Sequence, residues 1–189
     1  MMILYIKNMV CNRCVRDVKE IFNKLNISIN KVSLGEVEIV EDLSLIESEN
    51  LKIYLVNNGF KLIEDKKKQL VEKIKIFIIQ QVQQGQKERN LNFSTLIVEN
   101  LNKDYSYLST LFSSVEGITI EKYIQLQKIE KIKELLIYGE LSLNEIAFHL
   151  DYSSVQHLSN QFKKATGLSP SYFKKLKNHT RKPLDQVSL

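Results

Sequence analysis

The spacing of apolar residues changes period several times along this 189-residue chain. Met2 to Lys7 is short, apolar and β-prone, and then Val15, Val18, Ile21, Phe22 and Leu25 recur at helical spacing. From Lys31 to Val40 the period falls to two. Val32 and Leu34 are followed by Val37 and Ile39 with Gly35 between them, which predicts a hairpin. Leu51, Leu55 and Val56 return to helical spacing, Gly59 is placed to end that helix, and Phe60 to Ile63 predicts a short last strand. The order over residues 1–64 is therefore βαββαβ.

Asp65 to Gln84 predicts one long amphipathic helix, with Leu70, Ile74, Phe77, Ile78 and Val82 on its apolar side. Gly85 to Asn92 is polar and reads as a loop, and everything after it reads as helices joined by short turns. Thr119 to Tyr138 is the longest of these, with Ile120, Ile124, Ile129, Ile132 and Leu136 inward and Gly139 placed to stop it. The predicted fold class is α+β: a small ferredoxin-like βαββαβ domain at 1–64, then an all-α domain. A domain of that first size is only marginally stable alone.

A repeat decides what the helical part is. LSTLFSSVEG (108–117) aligns with LSNQFKKATG (158–167), so that Leu, Ser, Phe and Gly recur at a constant offset of 50. Ile118 and Thr119 answer Leu168 and Ser169, and Tyr123 answers Phe173. Upstream the offset becomes 49, pairing Val98 with Ala147 and Leu101 with Leu150, as a one-residue indel in a turn would produce. Each copy has the pattern of a helix-turn-helix. Small Val98 or Ala147 allows a close crossing. Asn102 or Asp151 follows the first helix, where the turn calls for positive φ. Leu108 with Phe112, or Leu158 with Phe162, points inward from the second helix. Gly117 or Gly167 ends it. Ser142 with Glu145 forms a capping box, and Ser169–Pro170 is an N-cap followed by proline at the first helical position.

With these residues in place, residues 70–177 resemble the DNA-binding domain of AraC-type bacterial transcription regulators. The second unit, EIAFHLDYSSVQHLSNQFKKATGLSPSYFK, carries the most specific part of that resemblance: Ile-Ala, the aromatic at Tyr152, Phe162, a lysine pair, Gly167 and Ser-Pro. The resemblance implies a leading helix (about 66–84), two helix-turn-helix units and a long central helix (about 119–138). It also implies that both recognition helices enter successive major grooves on one face of a duplex, which needs about 34 Å between them or a bend in the DNA. The domains expected are a sensor at 1–64, a connecting helix at 65–85, the double helix-turn-helix at 86–178 and a basic flexible tail at 179–189.

Charge sharpens this picture. Residues 1–64 hold 8 Lys+Arg against 9 Asp+Glu, whereas residues 65–189 hold 19 against 13. From Tyr152 to Leu184 there are seven basic residues (Lys163, Lys164, Lys174, Lys175, Lys177, Arg181 and Lys182) and no acid. So one-sided a run favours a polyanion, most simply double-stranded DNA. Aliphatic or aromatic runs such as Ile76–Ile79 are far short of a membrane span, and no secretion signal is read at the N-terminus. With two cysteines in all, a reducing cytoplasm is expected. An enzyme is not expected. All three histidines (His149, His157 and His179) lie in the helical part, and no Gly-rich phosphate loop, Ser-His-Asp order or acidic metal cluster is found.

The outward face of the first recognition helix is Tyr105, Ser106, Ser109, Thr110 and Ser113; that of the second is Val155, Gln156, Ser159, Asn160 and Lys163. Gln156 and Asn160 suit adenine edges and Val155 a thymine methyl. Ser153, Ser154, Lys163, Lys164, Lys174 and Lys175 suit phosphates, which give affinity without sequence information. Many members of the family that this domain resembles carry arginine at the positions of Thr110 and Asn160, and here neither does. The first recognition helix, Asp104 to Glu116, has net charge −2 and no Lys or Arg. The second unit is therefore expected to anchor the protein and the first to read weakly. His149 and His157 are expected to be packing or phosphate-side residues.

MVCNRC places the chain's two cysteines, Cys11 and Cys14, where a strand ends and a helix begins. Two sulfurs on a short loop suit linear coordination of a soft ion such as Cu(I), and the helix N-terminus favours thiolates. With Met9 the stretch reads M-x-C-x-x-C. In a βαββαβ frame it resembles the heavy-metal-associated domain of copper chaperones and metal-transport ATPases, although Asn8 stands where glycine is usual. Three readings stay open: a metal sensor, a thiol-disulfide redox switch, or two small residues packing a junction. The expected function is a sequence-specific DNA-binding transcription regulator with a sensory N-terminal domain. The competing class is a metallochaperone or thiol oxidoreductase whose helical half docks a partner. Whether the protein works as a homodimer stays open.

Overall fold

A computed structural model of the chain describes residues 2–85, 92–176 and 181–187. It divides into two compact units, Met1–Ile76 and Phe77–Leu189.

The first unit runs β1 (Met2–Lys7), α1 (Asn12–Lys24), β2 (Ile29–Ser33), β3 (Glu36–Ile39), α2 (Leu45–Asn57) and β4 (Lys61–Ile63). It ends within α3 (Lys66–Gln84). The strands form one antiparallel sheet in the order β2-β3-β1-β4, with Leu4 opposite Val37 and Ile6 opposite Leu62. Alternation sends Leu4, Ile6, Val37 and Ile39 into a core shared with Val18, Ile21 and Phe22 of α1 and Leu51 and Leu55 of α2. Lys73 of α3 lies 4.9 Å above the Tyr5 ring and pairs with Glu36 at 2.8 Å. The β2–β3 turn rests on Gly35, whose φ is +77° and at which a Cβ would stand 2.3 Å from the Ile76 Cδ1 atom.

The helix that carries Leu51, Leu55 and Val56 begins at Leu45, because Ser44 and Glu47 form a capping box in which the Ser44 N–H donates to Glu47 Oε2 at 2.9 Å. The division between units falls after Ile76, inside α3, rather than after residue 64. Val71 and Ile74, before that division, and Ile78, Ile79 and Val82, after it, are all buried.

The second unit is helical: the rest of α3, α4 (Phe93–Leu101), α5 (Tyr105–Glu116), α6 (Ile120–Tyr138), α7 (Leu143–His149), α8 (Val155–Thr166) and α9 (Pro170–Lys175). The repeat is visible in space. Asn102 and Asp151 both adopt positive φ, +49° and +54°, and Gly117 and Gly167 cap α5 and α8 in the left-handed region. Phe112 packs on Tyr123 with ring centroids 5.5 Å apart, and its repeat partner Phe162 packs on Phe173 at 5.4 Å. Thr119, Ser142 and Ser169 cap α6, α7 and α9.

The segment expected to be a flexible tail is held in place over residues 181–187. Arg181 pairs with Glu134 at 2.8 Å, the Lys182 N–H donates to Glu130 Oε2, Gln127 Nε2 donates to the Leu184 carbonyl at 3.0 Å, and Val187 is buried. Polar groups on α6 supply partners that charge counting along the chain does not reveal. Lys177 and His179, and most of the loop predicted after Gly85, lie outside the described residues.

Candidate nucleic-acid interface

α8 is formed and oriented by its own first turn. Ser154 is its N-cap, its hydroxyl accepting the His157 N–H at 3.1 Å. Ser153 Oγ lies 3.1 Å from His157 Nδ1, and the His157 ring stands edge-on to Tyr152 at 5.4 Å. Leu158 and Phe162 are buried beneath the helix. This leaves Gln156, Asn160, Lys163 and Lys164 exposed, with Val155 and Ser159 half-buried beside them. Gln156 Nε2 donates to Asn160 Oδ1 at 3.0 Å, so the two amides share one side of the helix. Lys174 and Lys175 are exposed at the end of α9.

α5 presents a different surface. Asp104 caps it, accepting the Tyr107 N–H at 3.1 Å. Ser106 and Thr110 are exposed; Ser109 and Ser113 are half-buried, and the Ser109 hydroxyl donates to the Ser106 carbonyl. The Tyr105 hydroxyl donates to Glu121 Oε1 at 2.5 Å. Burial together with that carboxylate pushes the Tyr105 phenol well above its ordinary range, and the phenol holds Glu121 low. Tyr105 thus ties α5 to the start of α6.

Three further links run from α6 to the two helix-turn-helix units, and none was singled out from sequence. Gln125 donates to Gln161 of α8, and Gln161 in turn approaches His157 Nε2 at 3.5 Å. The Lys128 ammonium lies 5.7 Å from the Phe93 ring centroid and 5.4 Å from that of Tyr152. Burial lowers the Lys128 pKa, against the charge of Asp151, and pushes the Tyr152 phenol up to about 12. A signal existed: Ile124, Lys128 and Ile132 are four residues apart, which places a lysine on the inward stripe of the helix. His149 lies against Gly85, in a packing position.

In the first unit, Cys11 is the N-cap of α1 and Cys14 lies one turn on, with the two sulfurs 3.6 Å apart. Cys11 is exposed and Cys14 half-buried. Partial burial opposes the Cys11 thiolate, but hydrogen bonds from Cys14 and Arg13 and the Arg13 charge outweigh it, so its pKa falls below that of an ordinary thiol. Cys14 is raised, by burial first and by the neighbouring Cys11. Met9 is fully buried in the core. Among the described residues no group of three or more His, Cys, Asp or Glu is placed to hold a metal. Two thiols suit a soft ion of low coordination number and leave Zn²⁺ two ligands short of a tetrahedral site.

Comparison with known proteins gives the helical unit its class. A family model described as a helix-turn-helix domain matches residues 97–176. The Xylose operon regulatory protein of Escherichia coli (strain K12) is 38% identical over 69 residues, 36% of this chain and 18% of that protein. The uncharacterized HTH-type transcriptional regulator YfiF of Bacillus subtilis (strain 168) is 32% identical over 82 residues, covering 43% and 26%. The Msm operon regulatory protein of Streptococcus mutans serotype c is 33% identical over 79 residues, covering 42% and 28%. The chain thus spans less than a third of the length of these relatives. Among solved structures, the C-terminal domain of AraT, a response regulator from Geobacillus stearothermophilus, superposes with TM-score 0.52 at 26% identity, over 62% of this chain and 93% of that one. The helical unit carries a helix-turn-helix domain of the AraC type. No described helix is long and apolar enough to cross a membrane.

Proposed function

We propose that this chain is a sequence-specific DNA-binding transcription regulator whose N-terminal unit takes a soft metal ion such as Cu(I) at Cys11 and Cys14. The observation that carries the DNA-binding part is the duplicated unit. Two left-handed turns and two inward phenylalanines on two aromatic partners build the same frame twice, and α8 carries an exposed amide pair beside lysines. The relatives that match this segment are themselves named as regulators. In this reading Gln156 and Asn160 meet base edges. Val155 meets a thymine methyl. Ser153, Ser154, Lys163, Lys164, Lys174 and Lys175 meet phosphates. Ser106, Ser109 and Thr110 of α5 read a second groove weakly, and Tyr105 orients α5 rather than reading.

The strand order β2-β3-β1-β4, with α1 and α2 sharing one core face, supports a ferredoxin-like reading of the first unit. A bound soft ion would supply positive charge that holds both thiols deprotonated. The 3.6 Å sulfur separation and the lowered Cys11 pKa also favour a second reading. In it a peroxide oxidises the pair to a disulfide, taking up the two thiol protons and two electrons and leaving as water.

A gel-shift series on the protein's own upstream region across salt concentrations tests the DNA-binding part, and absence of salt-sensitive binding would overturn it. Anaerobic Cu(I) titration of wild type and the Cys11→Ser/Cys14→Ser double variant tests the input. Loss of bound metal in the variant is expected, and unchanged stoichiometry would sink the metal reading.

A further inference from the structure

α6 joins the two helix-turn-helix units and therefore sets the distance between α5 and α8. Lys128 sits on its inward stripe between Ile124 and Ile132, both buried. A lysine there must offset the loss of water around its charge. Among the described residues no carboxylate lies within ion-pair distance of it, and its ammonium is placed instead near two rings, 5.7 Å from Phe93 and 5.4 Å from Tyr152. A cation within about 6 Å of a ring centroid is attracted by the negative face of the ring. The two rings come from different units: Phe93 opens α4 of the first, and Tyr152 lies in the α7–α8 turn of the second. Tyr152 also supports His157 in the first turn of α8, so the contact reaches the frame of the reading helix.

We propose that Lys128 is a positioning residue for DNA reading: clamped between Phe93 and Tyr152, its ammonium locks the two helix-turn-helix units at one spacing. Binding at one groove then depends strictly on the distance to the other. This rests on the DNA-binding reading above. Replacing the cation by a neutral, unbranched side chain of similar length loosens the spacing and leaves each reading face intact.

The test uses the full chain and a duplex selected by the wild-type protein from a random-sequence pool. Affinities are measured for that duplex and for a version with one base pair inserted between the two protected grooves. For wild type, the insertion weakens binding by about tenfold or more, because it moves one site by 3.4 Å and rotates it around the helix. Lys128→Met is expected to bind the selected duplex about tenfold more weakly and to lose only about twofold further on insertion; Lys128→Arg, which keeps the cation, restores both behaviours. A variant that only destabilised the fold would lower affinity and keep the wild-type insertion penalty. That outcome, or failure of Lys128→Arg to restore, overturns the proposal. Should Lys128→Met not fold, Phe93→Leu removes one ring and leaves the lysine in place. It is expected to relax the spacing penalty in the same way, and an unchanged penalty overturns the clamp. If wild type selects no duplex, the DNA-binding reading itself has failed. The Lys128 ε-methylene proton resonances of the free protein then still test the contact: displacement by ring currents is expected, and ordinary shifts refute it.

Discussion

At the N-terminus of α1, the Cys11 thiol is exposed to solvent while Cys14, one turn on, is half-buried beside it. Their titrations are pushed apart: Cys11 accepts hydrogen bonds that favour its thiolate, and the Cys14 thiol is pushed up by burial and by Cys11. Alkylation under anaerobic conditions should therefore show a first thiol that gains reactivity at a pH below the ordinary thiol range, and Cys11→Ala should remove that phase. Because the pKa of Cys11 is lowered, its thiolate population rises earlier as pH rises; Cys14→Ala deletes a donor and should move Cys11 upward. Equal reactivity of both thiols at every pH would refute the assignment. Two glycines allow a second residue-level test. Gly35 needs positive φ and its site is filled by Ile76, whereas Gly59 needs positive φ with nothing within 4 Å. Gly35→Ala should cost roughly 1–3 kcal/mol and Gly59→Ala about 1 kcal/mol in urea unfolding. The reverse order would show that Ile76 yields freely.

Between elements, α5 and α8 share a frame and differ in charge, and binding should follow that difference. Asn160→Ala, which removes one of two adjacent exposed amides, should cost about 1–3 kcal/mol of specific binding; Thr110→Ala should cost less. Lys163→Ala should weaken all sequences alike and lower the salt slope by about 1. If Ser109→Ala or Thr110→Ala abolished specific binding while Asn160→Ala left it intact, the ranking of the two units would be wrong. The frame itself was legible in the sequence because it is local: Asn102, Asp151, Gly117 and Gly167 each answer to the φ of a single residue. The Ser44–Glu47 cap is equally local, but Leu45 and Ile46, which follow it, are exposed and add no inward stripe to mark the helix start. Links across the fold were not legible. Tyr105 reads as an outward tyrosine until Glu121, 16 residues on, is placed against it, and residues 181–187 read as a tail until α6 supplies Glu134, Glu130 and Gln127. Deleting residues 181–189 should cost about 1.5–3 kcal/mol, mostly through loss of Val187 burial. Arg181→Ala, which breaks a partly exposed pair, should cost under about 1 kcal/mol. Equal effects in thermal melts would mean that the ion pair, and not burial, holds the segment.

For the whole molecule, the proposed function requires that an event at the thiols alter DNA affinity. The chain passes from one unit to the other within α3, and the first unit ties that helix to the thiol loop. The Asn8 backbone N–H, three residues before Cys11, donates to Glu72 Oε1 of α3 at 3.1 Å, and Asn8 Nδ2 donates to the Gly59 carbonyl at 2.9 Å. Asn8 holds φ at +74°, and Glu72 is 6% exposed, so the contact joins a constrained loop residue to a buried carboxylate. A change at Cys11 and Cys14 that shifts this loop must break or keep that bond, and α3 is the element that registers the outcome. Glu72→Leu removes the acceptor and leaves both thiols. It should bind Cu(I) with wild-type stoichiometry while the change in DNA affinity on adding Cu(I) shrinks. Linkage adds a constraint that needs no structural detail. If Cu(I) changes DNA affinity by some factor, bound DNA must change Cu(I) affinity by the same factor, and Glu72→Leu must reduce both together. Titrating Cu(I) into free and DNA-bound protein, for wild type and variant, measures all four affinities. Coupling that survives Glu72→Leu at full strength in both directions would place the route elsewhere than Asn8 and α3.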